Sequence, residues 1–316
     1  MAFLLQKARS AITSSSNSNP SSQRRRRDPF RIVETSYTSV PVDIPESFLS
    51  SLPSSKNISV TQIDFKNTTL PEYDGLLAFV LDGVLSQEEC KTLIELAEKS
   101  TGIDPEQENP WKPAMVNVGA GREILDISYR NSDRIIWDTP NLVSKLWHRC
   151  LQAEGLRGKL ERLDGEEQKH VLGGYYDGEK WVITKQGLNE RMRFLKYGPG
   201  QYFRAHCDSA YRTPDESQRS FFTAHLYLND SAQLLEAESG DKVDSKILRG
   251  GATTFHSSNM ERRLDVDPKA GRVLIFQHRR LLHSGDEVTA GVKYTMRTDL
   301  MYELEKKGDD TEMDMD

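Results

Sequence analysis

The triplet His206-Cys207-Asp208 combines residue types and a spacing that can bind a transition metal. It closes a run from Tyr202 to Asp208 that predicts a β-strand. Side chains two positions apart in a strand point to the same face, so the imidazole of His206 and the carboxylate of Asp208 would enter the same space. A second imidazole from a distant strand would complete the two-histidine, one-carboxylate set that holds iron(II) and leaves positions open for a co-substrate and oxygen. His283 is the expected third ligand.

A lysine ten positions after His283 (293 minus 283) adds a second indication. If the co-substrate is 2-oxoglutarate, its far carboxylate must be buried, and a buried Lys or Arg is needed to pair with it. Lys293 is our first candidate and Arg297 our second. The two residues share a strand face but would lie about 13 Å apart, so we do not expect both to hold one carboxylate.

Four ordered blocks of the sequence carry the signature of a known family. They are Tyr197 to Asp208, Phe222 to Asp230, Gly250 to Phe255 and His283 to Lys293. These blocks resemble the catalytic domain of the prolyl 4-hydroxylase-like branch of the 2-oxoglutarate and Fe(II)-dependent dioxygenase superfamily. The similarity is close over residues 190–303. It extends loosely to the region from Phe79 to Glu98 and to the tetrapeptide Tyr129-Arg130-Asn131-Ser132.

The resemblance implies roles for individual residues. His206, Asp208 and His283 would be the iron(II) ligands and the catalytic centre, and Lys293 would receive the far carboxylate of 2-oxoglutarate. Tyr197 and Thr223 occupy positions that contact the same co-substrate in relatives. The resemblance also implies ascorbate (L-ascorbic acid) as an accompanying reductant.

The implied reaction is the hydroxylation of a substrate C–H bond by O2 and 2-oxoglutarate, with succinate and CO2 as co-products. A prolyl residue is the first expectation, within the class of amino-acid and peptidyl substrates. A small-molecule oxygenase of secondary metabolism is an alternative, and so is a catalytically silent jelly-roll binding protein. The long polar segment from Ser231 to Arg249 departs from many relatives and is interpreted as a candidate lid. His225 shares a strand face with Thr223 and is expected to be a core histidine whose hydrogen bonds are satisfied.

The elements that position these residues predict an α+β, mainly β fold. A capping box at Ser86 to Glu89 predicts a helix to about Ser100, and a second helix is expected from Pro140 to before Gly155. From Arg191 onward, short aromatic and β-branched runs bounded by Gly, Pro, Asp and Asn predict strands. Helices followed by many short strands indicate a double-stranded β-helix (jelly roll) with flanking N-terminal helices.

The predicted strands are Arg193 to Tyr197, Tyr202 to Asp208, Phe221 to Leu228, Ala252 to His256, Arg272 to Gln277 and Val292 to Tyr302, with an earlier one at Leu76 to Leu85. The expected organisation is a disordered or extended segment over 1–69, a dioxygenase domain over 70–303 with its jelly-roll core at 190–303, and an acidic disordered tail over 304–316.

Composition sets the remaining limits. With 42 basic and 48 acidic residues among 316, the net charge of −6 argues against a nucleic-acid partner. The three cysteines lack the spacing of a disulfide framework. No apolar run is long enough to span a bilayer, so no membrane partner is expected. We expect an intracellular, cytoplasmic protein, with mitochondria or the nucleus as alternatives because of the basic run Arg24 to Arg27.

Overall fold

The computed structural model of the chain describes residues 32–34, 37–50, 58–119, 122–164, 168–175 and 179–305. The arginine run and all but the first two residues of the expected acidic tail lie outside these ranges, so the disorder expected for them stays a prediction. Within the described residues, no helix is both long and apolar enough to cross a membrane.

Five α-helices and three short 3-10 helices are described. The α-helices are α1 (Gln87–Lys99), α2 (Pro140–Cys150), α3 (Leu156–Leu160), α4 (Lys169–Leu172) and α5 (Ala232–Ser239). The 3-10 helices are Phe65–Asn67, Pro71–Tyr73 and Gly173–Tyr175.

The strands are short and numerous, as the turn-rich sequence predicts. They are β1 (Ile32–Glu34), β2 (Ser59–Gln62), β3 (Ala78–Asp82), β4 (Lys112–Pro113), β5 (Val116–Gly119), β6 (Arg122–Ile124), β7 (Arg130–Asn131), β8 (Asp133–Asp138), β9 (Arg162–Leu163), β10 (Trp181–Leu188), β11 (Arg191–Tyr197), β12 (Tyr202–His206), β13 (Gln218–Tyr227), β14 (Arg249–Gly250), β15 (Thr253–His256), β16 (Arg263–Val266), β17 (Val273–Gln277), β18 (His283–Gly285), β19 (Val288–Ala290) and β20 (Lys293–Leu304).

Two antiparallel sheets form the jelly roll. The larger sheet has the strand order β2-β3-β17-β13-β20-β11-β8-β4, and β10 pairs with β20 beside this path. The smaller sheet has the order β16-β15-β18-β12-β7. Side chains from both sheets line a shared cavity between them. The expected fold class, mainly β with flanking helices, is confirmed.

The main apolar core joins α1 and α2 to the larger sheet. Helix α1 begins at the predicted capping box, because the Ser86 hydroxyl accepts from the backbone N–H of Glu89 and the Glu89 carboxylate accepts from that of Ser86. Its buried residues, including Leu93, join those of α2 and the strand residue Phe194 in one apolar cluster. The helices therefore give the larger sheet a packed outer layer and leave its other face for the cavity.

Ordered structure begins before Leu70, where the sequence placed the domain boundary. Strand β2 pairs with β3 over Ser59 to Gln62, and Phe48 and Leu49 are buried in the main core. The sequence signal was weak because β2 is a polar edge strand with mostly exposed side chains. The larger sheet also includes β8 and β10, which lie N-terminal to the predicted core at 190–303 and were not predicted as strands.

Candidate metal centre

His206 and His283 are cross-strand partners in the smaller sheet. Strand β12 pairs antiparallel with β18, and the register sets His206 directly opposite His283. The two imidazole rings lie with their centroids 4.4 Å apart. Residues that are 77 positions apart in sequence therefore present their side chains at one place in the cavity.

Hydrogen bonds to the backbone orient both rings. Nδ1 of His206 lies 2.7 Å from the carbonyl oxygen of Arg204, and Nδ1 of His283 lies 3.0 Å from that of Leu281. A carbonyl only accepts, so Nδ1 must carry the proton in each ring, which leaves the Nε2 lone pair available as a ligand. Such outer partners of metal-binding histidines are usual because they fix the tautomer and the ring direction.

Asp208 completes the cluster just beyond the end of β12. Its Oδ1 lies 3.6 Å from Nε2 of His206, and its Oδ2 lies 3.7 Å from Nε2 of His283. The three ligand atoms all lie within 4.8 Å of one another. Two imidazoles and a carboxylate at these separations suit a divalent transition metal with further open positions.

The surroundings keep Asp208 ionised and His283 neutral. Burial alone would raise the pKa of the Asp208 carboxyl, but Arg297 and the two histidines outweigh it and hold that pKa well below its usual range. Burial, reinforced by the neighbouring His206, lowers the pKa of His283 to about 3. Ligand binding requires an ionised carboxylate and a neutral imidazole, so these two residues are already in the forms that bind a metal.

Residues 192–298 match the family model described as the 2OG-Fe(II) oxygenase superfamily. This segment is similar to 2OG-Fe(II) oxygenase domains. The match contains His206, Asp208, His283 and Lys293, and it confirms the resemblance inferred from the four sequence blocks. No curated protein matches this chain in sequence.

Solved structures of prolyl hydroxylases are among those similar to this chain. The viral collagen prolyl hydroxylase from Paramecium bursaria Chlorella virus-1, in complex with 2OG, is 20% identical, covers 72% of this chain and 96% of its own, and has a TM-score of 0.39. A Pseudomonas putida prolyl-4-hydroxylase is 14% identical, with 78% and 94% covered and a TM-score of 0.41. A Trichoplax adhaerens prolyl hydroxylase, in complex with a peptide fragment of the hypoxia inducible factor oxygen degradation domain, is 14% identical, with 71% and 82% covered and a TM-score of 0.42.

The oxygenase family implies iron(II) and 2-oxoglutarate, and the cavity suits both. The histidine and carboxylate cluster supplies the donor set for iron. Lys293 suits the co-substrate, because its side chain is 2% exposed and no carboxylate among the described residues lies within ion-pair distance of it. A buried cation that lacks an anionic partner is costly, and a ligand carboxylate would relieve that cost.

Two aromatic rings surround Lys293. Its Nζ lies 5.2 Å from the ring centroid of Tyr197 and 5.7 Å from that of Tyr227. Burial lowers the pKa of the Lys293 ammonium to about 8, against a smaller opposing effect of Asp286. Tyr197 pairs with Lys293 across β11 and β20, so both of these predicted co-substrate residues lie at one end of the cavity.

The other two predicted co-substrate residues lie beside the metal ligands. The Thr223 hydroxyl donates to Oδ2 of Asp208 at 2.5 Å, and Nη1 of Arg297 lies 3.1 Å from Oδ1 of the same carboxylate. Both line the cavity, but in this structure their polar groups contact Asp208.

Three residues of the site were not identified from the sequence. The Phe203 ring stacks on His206 with centroids 3.8 Å apart, and the Arg130 guanidinium lies 4.6 Å from the Phe203 centroid. Asp299 contacts Arg297 and is 2% exposed. Side chains alternate between the two faces of β20, so Asp299 lies on the same face as Lys293 and Arg297. This alternation could have identified Asp299 from the sequence.

His225 is half-buried in the cavity wall and lies outside the ligand cluster, but the expectation that its polar atoms are satisfied is wrong. Its Nε2 has no hydrogen-bond partner in the described structure. Its ring instead packs edge-on against Tyr227, with centroids 4.9 Å apart.

The segment from Ser231 to Arg249 reaches the Lys293 end of the cavity through Leu248. Its residue Leu248 is buried in a cluster with Tyr197 and Val288. Gly291 has φ +68°, and a Cβ there would lie 2.7 Å from the backbone nitrogen of Leu248, so glycine allows this close approach. The described contacts anchor the C-terminal end of this segment beside Tyr197, and its interpretation as a lid stays a prediction.

Proposed function

We propose that this protein is an Fe(II)- and 2-oxoglutarate-dependent dioxygenase that hydroxylates a C–H bond of an amino-acid or peptidyl substrate, with a prolyl residue as the first candidate. One observation carries the proposal. The cavity that presents His206, Asp208 and His283 as a ligand cluster also contains Lys293, a buried cation with no carboxylate of the described residues at ion-pair distance.

The protein's own residues hold and orient the reactants in this proposal. His206, Asp208 and His283 hold iron, and Lys293 pairs with the far carboxylate of 2-oxoglutarate. Bound iron and 2-oxoglutarate together supply the oxidising chemistry, in which O2 and the co-substrate yield succinate, CO2 and a hydroxylated substrate. The aromatic and apolar wall around Lys293 keeps water from that carboxylate, which strengthens the ion pair. Ascorbate is included as the reductant that the family resemblance suggests.

The preference for an amino-acid or peptidyl substrate rests on the resemblance of the four sequence blocks to the prolyl 4-hydroxylase-like branch. A prolyl substrate needs a pocket that accepts an extended chain at the open side of the metal. Tyr129 lies beside the expected ligand His206, with its ring centroid 6.5 Å from that of His206, and Ile127, two positions earlier in the chain, is 63% exposed. These apolar groups suit the ring of a prolyl residue and its neighbours.

A small carboxylated substrate is the second candidate, and Arg130 favours it. This arginine lines the cavity and is 8% exposed, and no carboxylate among the described residues lies within ion-pair distance of its guanidinium. Burial lowers the pKa of Arg130 to about 10, so the side chain still carries its charge at neutral pH. If Lys293 takes the co-substrate, Arg130 remains to pair with a carboxylate such as that of a free amino acid.

Succinate release by the purified full chain tests the function directly. The reaction contains Fe(II), 2-oxoglutarate, ascorbate and O2, with proline-containing peptides, free amino acids and the corresponding amino-acid amides added in turn. We expect iron-dependent succinate formation that a matching substrate stimulates and that His206→Ala abolishes. Equal succinate release by the wild type and His206→Ala would refute the oxygenase assignment.

The choice of added compound separates the two substrate classes. Stimulation by peptides with blocked ends supports the peptidyl substrate. Stimulation by free amino acids that is lost with their amides supports the carboxylated small molecule. Wild-type protein that binds iron and 2-oxoglutarate but gives no turnover with any compound would leave the silent binding protein as the better description.

A further inference from the structure

Arg297 contacts a predicted metal ligand directly. Its Nη1 lies 3.1 Å from Oδ1 of Asp208, and both side chains are largely buried. The two groups form a close ion pair, and the attraction favours the orientation of the carboxylate in which Oδ1 faces the guanidinium.

The second oxygen of Asp208 also has a donor. The Thr223 hydroxyl donates to Oδ2 at 2.5 Å, and Nη2 of Arg297 lies 3.3 Å from the Thr223 oxygen. The carboxylate is therefore held from both sides by two groups that also contact each other. Rotation of the Asp208 side chain would break both contacts.

A further carboxylate holds Arg297 in place. Oδ1 of Asp299 lies 3.4 Å from Nη2 of Arg297, and its Oδ2 lies 3.2 Å from Nη1 of Arg193. Asp299 thus neutralises part of the charge of two buried guanidinium groups. Without it, Arg193 and Arg297 would lie close together in a low-dielectric interior with less negative charge to compensate them.

We propose that Arg297 and Asp299 form a positioning pair that holds Asp208 in its metal-binding orientation. This inference rests on the iron site of the proposed function. Arg297 presents one nitrogen to the ligand carboxylate and another to Asp299, so the ion pair transmits the rigidity of β20 to Asp208. The pair lowers the free-energy cost of fixing the Asp208 carboxylate in its metal-binding orientation. The metal affinity of the site therefore depends on the pair.

This role competes with the alternative in which Arg297 binds the far carboxylate of 2-oxoglutarate. The guanidinium is already shared between two protein carboxylates, whereas Lys293 has none within ion-pair distance in the described residues. The two residues lie four positions apart on one strand, about 13 Å along it. The geometry therefore divides the tasks: Lys293 faces the co-substrate end and Arg297 the metal end.

Mn(II) binding by the full-length chain, measured by electron paramagnetic resonance in the absence of 2-oxoglutarate, tests the positioning pair without any turnover. We expect Arg297→Gln to weaken Mn(II) binding by about 10–100-fold, the usual effect of removing an outer partner of a metal ligand. Arg193→Gln is the matched control, because it removes a buried arginine from the same Asp299 but leaves the contact with Asp208. It should change Mn(II) affinity by less than about threefold.

Two conservative changes keep the test decisive if Arg297→Gln does not fold. Arg297→Lys keeps the charge with a single nitrogen and should bind Mn(II) with an intermediate affinity. Thr223→Val removes the donor to the other oxygen and should also weaken Mn(II) binding. Wild-type affinity in both of these folded variants would overturn the positioning role, as would equal losses in Arg297→Gln and Arg193→Gln. Failure of the wild type itself to bind Mn(II) would instead count against the iron site of the proposed function.

Discussion

His206 and His283 face each other across the β12–β18 strand pair, each with Nδ1 held by a backbone carbonyl. The strand register thus sets the spacing of two predicted metal ligands, and the backbone sets the direction of their lone pairs. Both constraints come from the sheet itself, so the fold sets the positions and directions of these two rings.

Removal of one imidazole should abolish catalysis. His283→Ala leaves only two ligands, so we expect iron-dependent succinate release to fall by about two orders of magnitude or more. His148→Ala is the matched control, since His148 lies exposed on α2, and its activity should equal that of the wild type. Unchanged succinate release by His283→Ala would show that the metal is held elsewhere.

Removal of the Lys293 ammonium should weaken the binding of 2-oxoglutarate. Lys293→Ala leaves a carboxylate of 2-oxoglutarate buried without a partner, and we expect the KM for 2-oxoglutarate to rise about 100-fold or more. Lys293→Arg keeps the charge and should raise this KM less. The KM of Arg297→Gln for 2-oxoglutarate, measured at saturating iron, is the value to compare with that of Lys293→Ala. A larger KM increase in Arg297→Gln than in Lys293→Ala would assign the carboxylate to Arg297.

The buried charge of Lys293 should also cost stability when no ligand is bound. The folded-state pKa of about 8 lies below the unfolded value of 10.5, so the unfolded chain binds more protons between these values and the free energy of unfolding rises with pH there. At pH 7 the lysine is charged in both states and its burial is a net cost. We expect Lys293→Met to stabilise the metal-free protein by about 1–4 kcal/mol at pH 7.

Urea unfolding across a pH series measures this effect. The advantage of Lys293→Met should shrink as pH rises from 8 to above 10, because the wild-type lysine then becomes neutral in the folded state. When 2-oxoglutarate and Mn(II) are added, the wild type should have a higher free energy of unfolding than Lys293→Met. A gain from Lys293→Met that is constant over this pH range would contradict the electrostatic explanation.

The segment from Ser231 to Arg249 should contribute stability through Leu248. This side chain is 2% exposed and packs against Tyr197 and Val288, so Leu248→Ala should lower the free energy of unfolding by about 2–5 kcal/mol. Leu125→Ala, at a leucine that is 40% exposed, should change it by less than about 0.5 kcal/mol. If the free energy of unfolding of Leu248→Ala equals that of the wild type, the end of this segment at Leu248 is not part of the cooperative fold.

Sequence patterns correctly predicted the helices and strands that depend mainly on residues close together in the chain. The capping box at Ser86 marked the start of α1, and the runs that became β13, β17 and β20 were placed with shifts of a few residues at their ends. Strands β8 and β10 were missed. Strand β10, for example, carries Lys185 and Gly187 within it, residues that interrupt a strand pattern. Pairing with β20 stabilises β10, and no local signal reports such pairing.

The sequence by itself determined that an imidazole and a carboxylate two positions apart would share a strand face, and that a lysine would follow a distant histidine at a fixed spacing. Only the tertiary structure decided that His283 lies opposite His206, that Arg297 contacts Asp208, and that Leu248 packs against Tyr197 and Val288. The physical reason is that strand alternation depends on neighbouring residues alone. Antiparallel register and buried ion pairs depend on which distant strands meet, and that is settled by the packing of the whole fold.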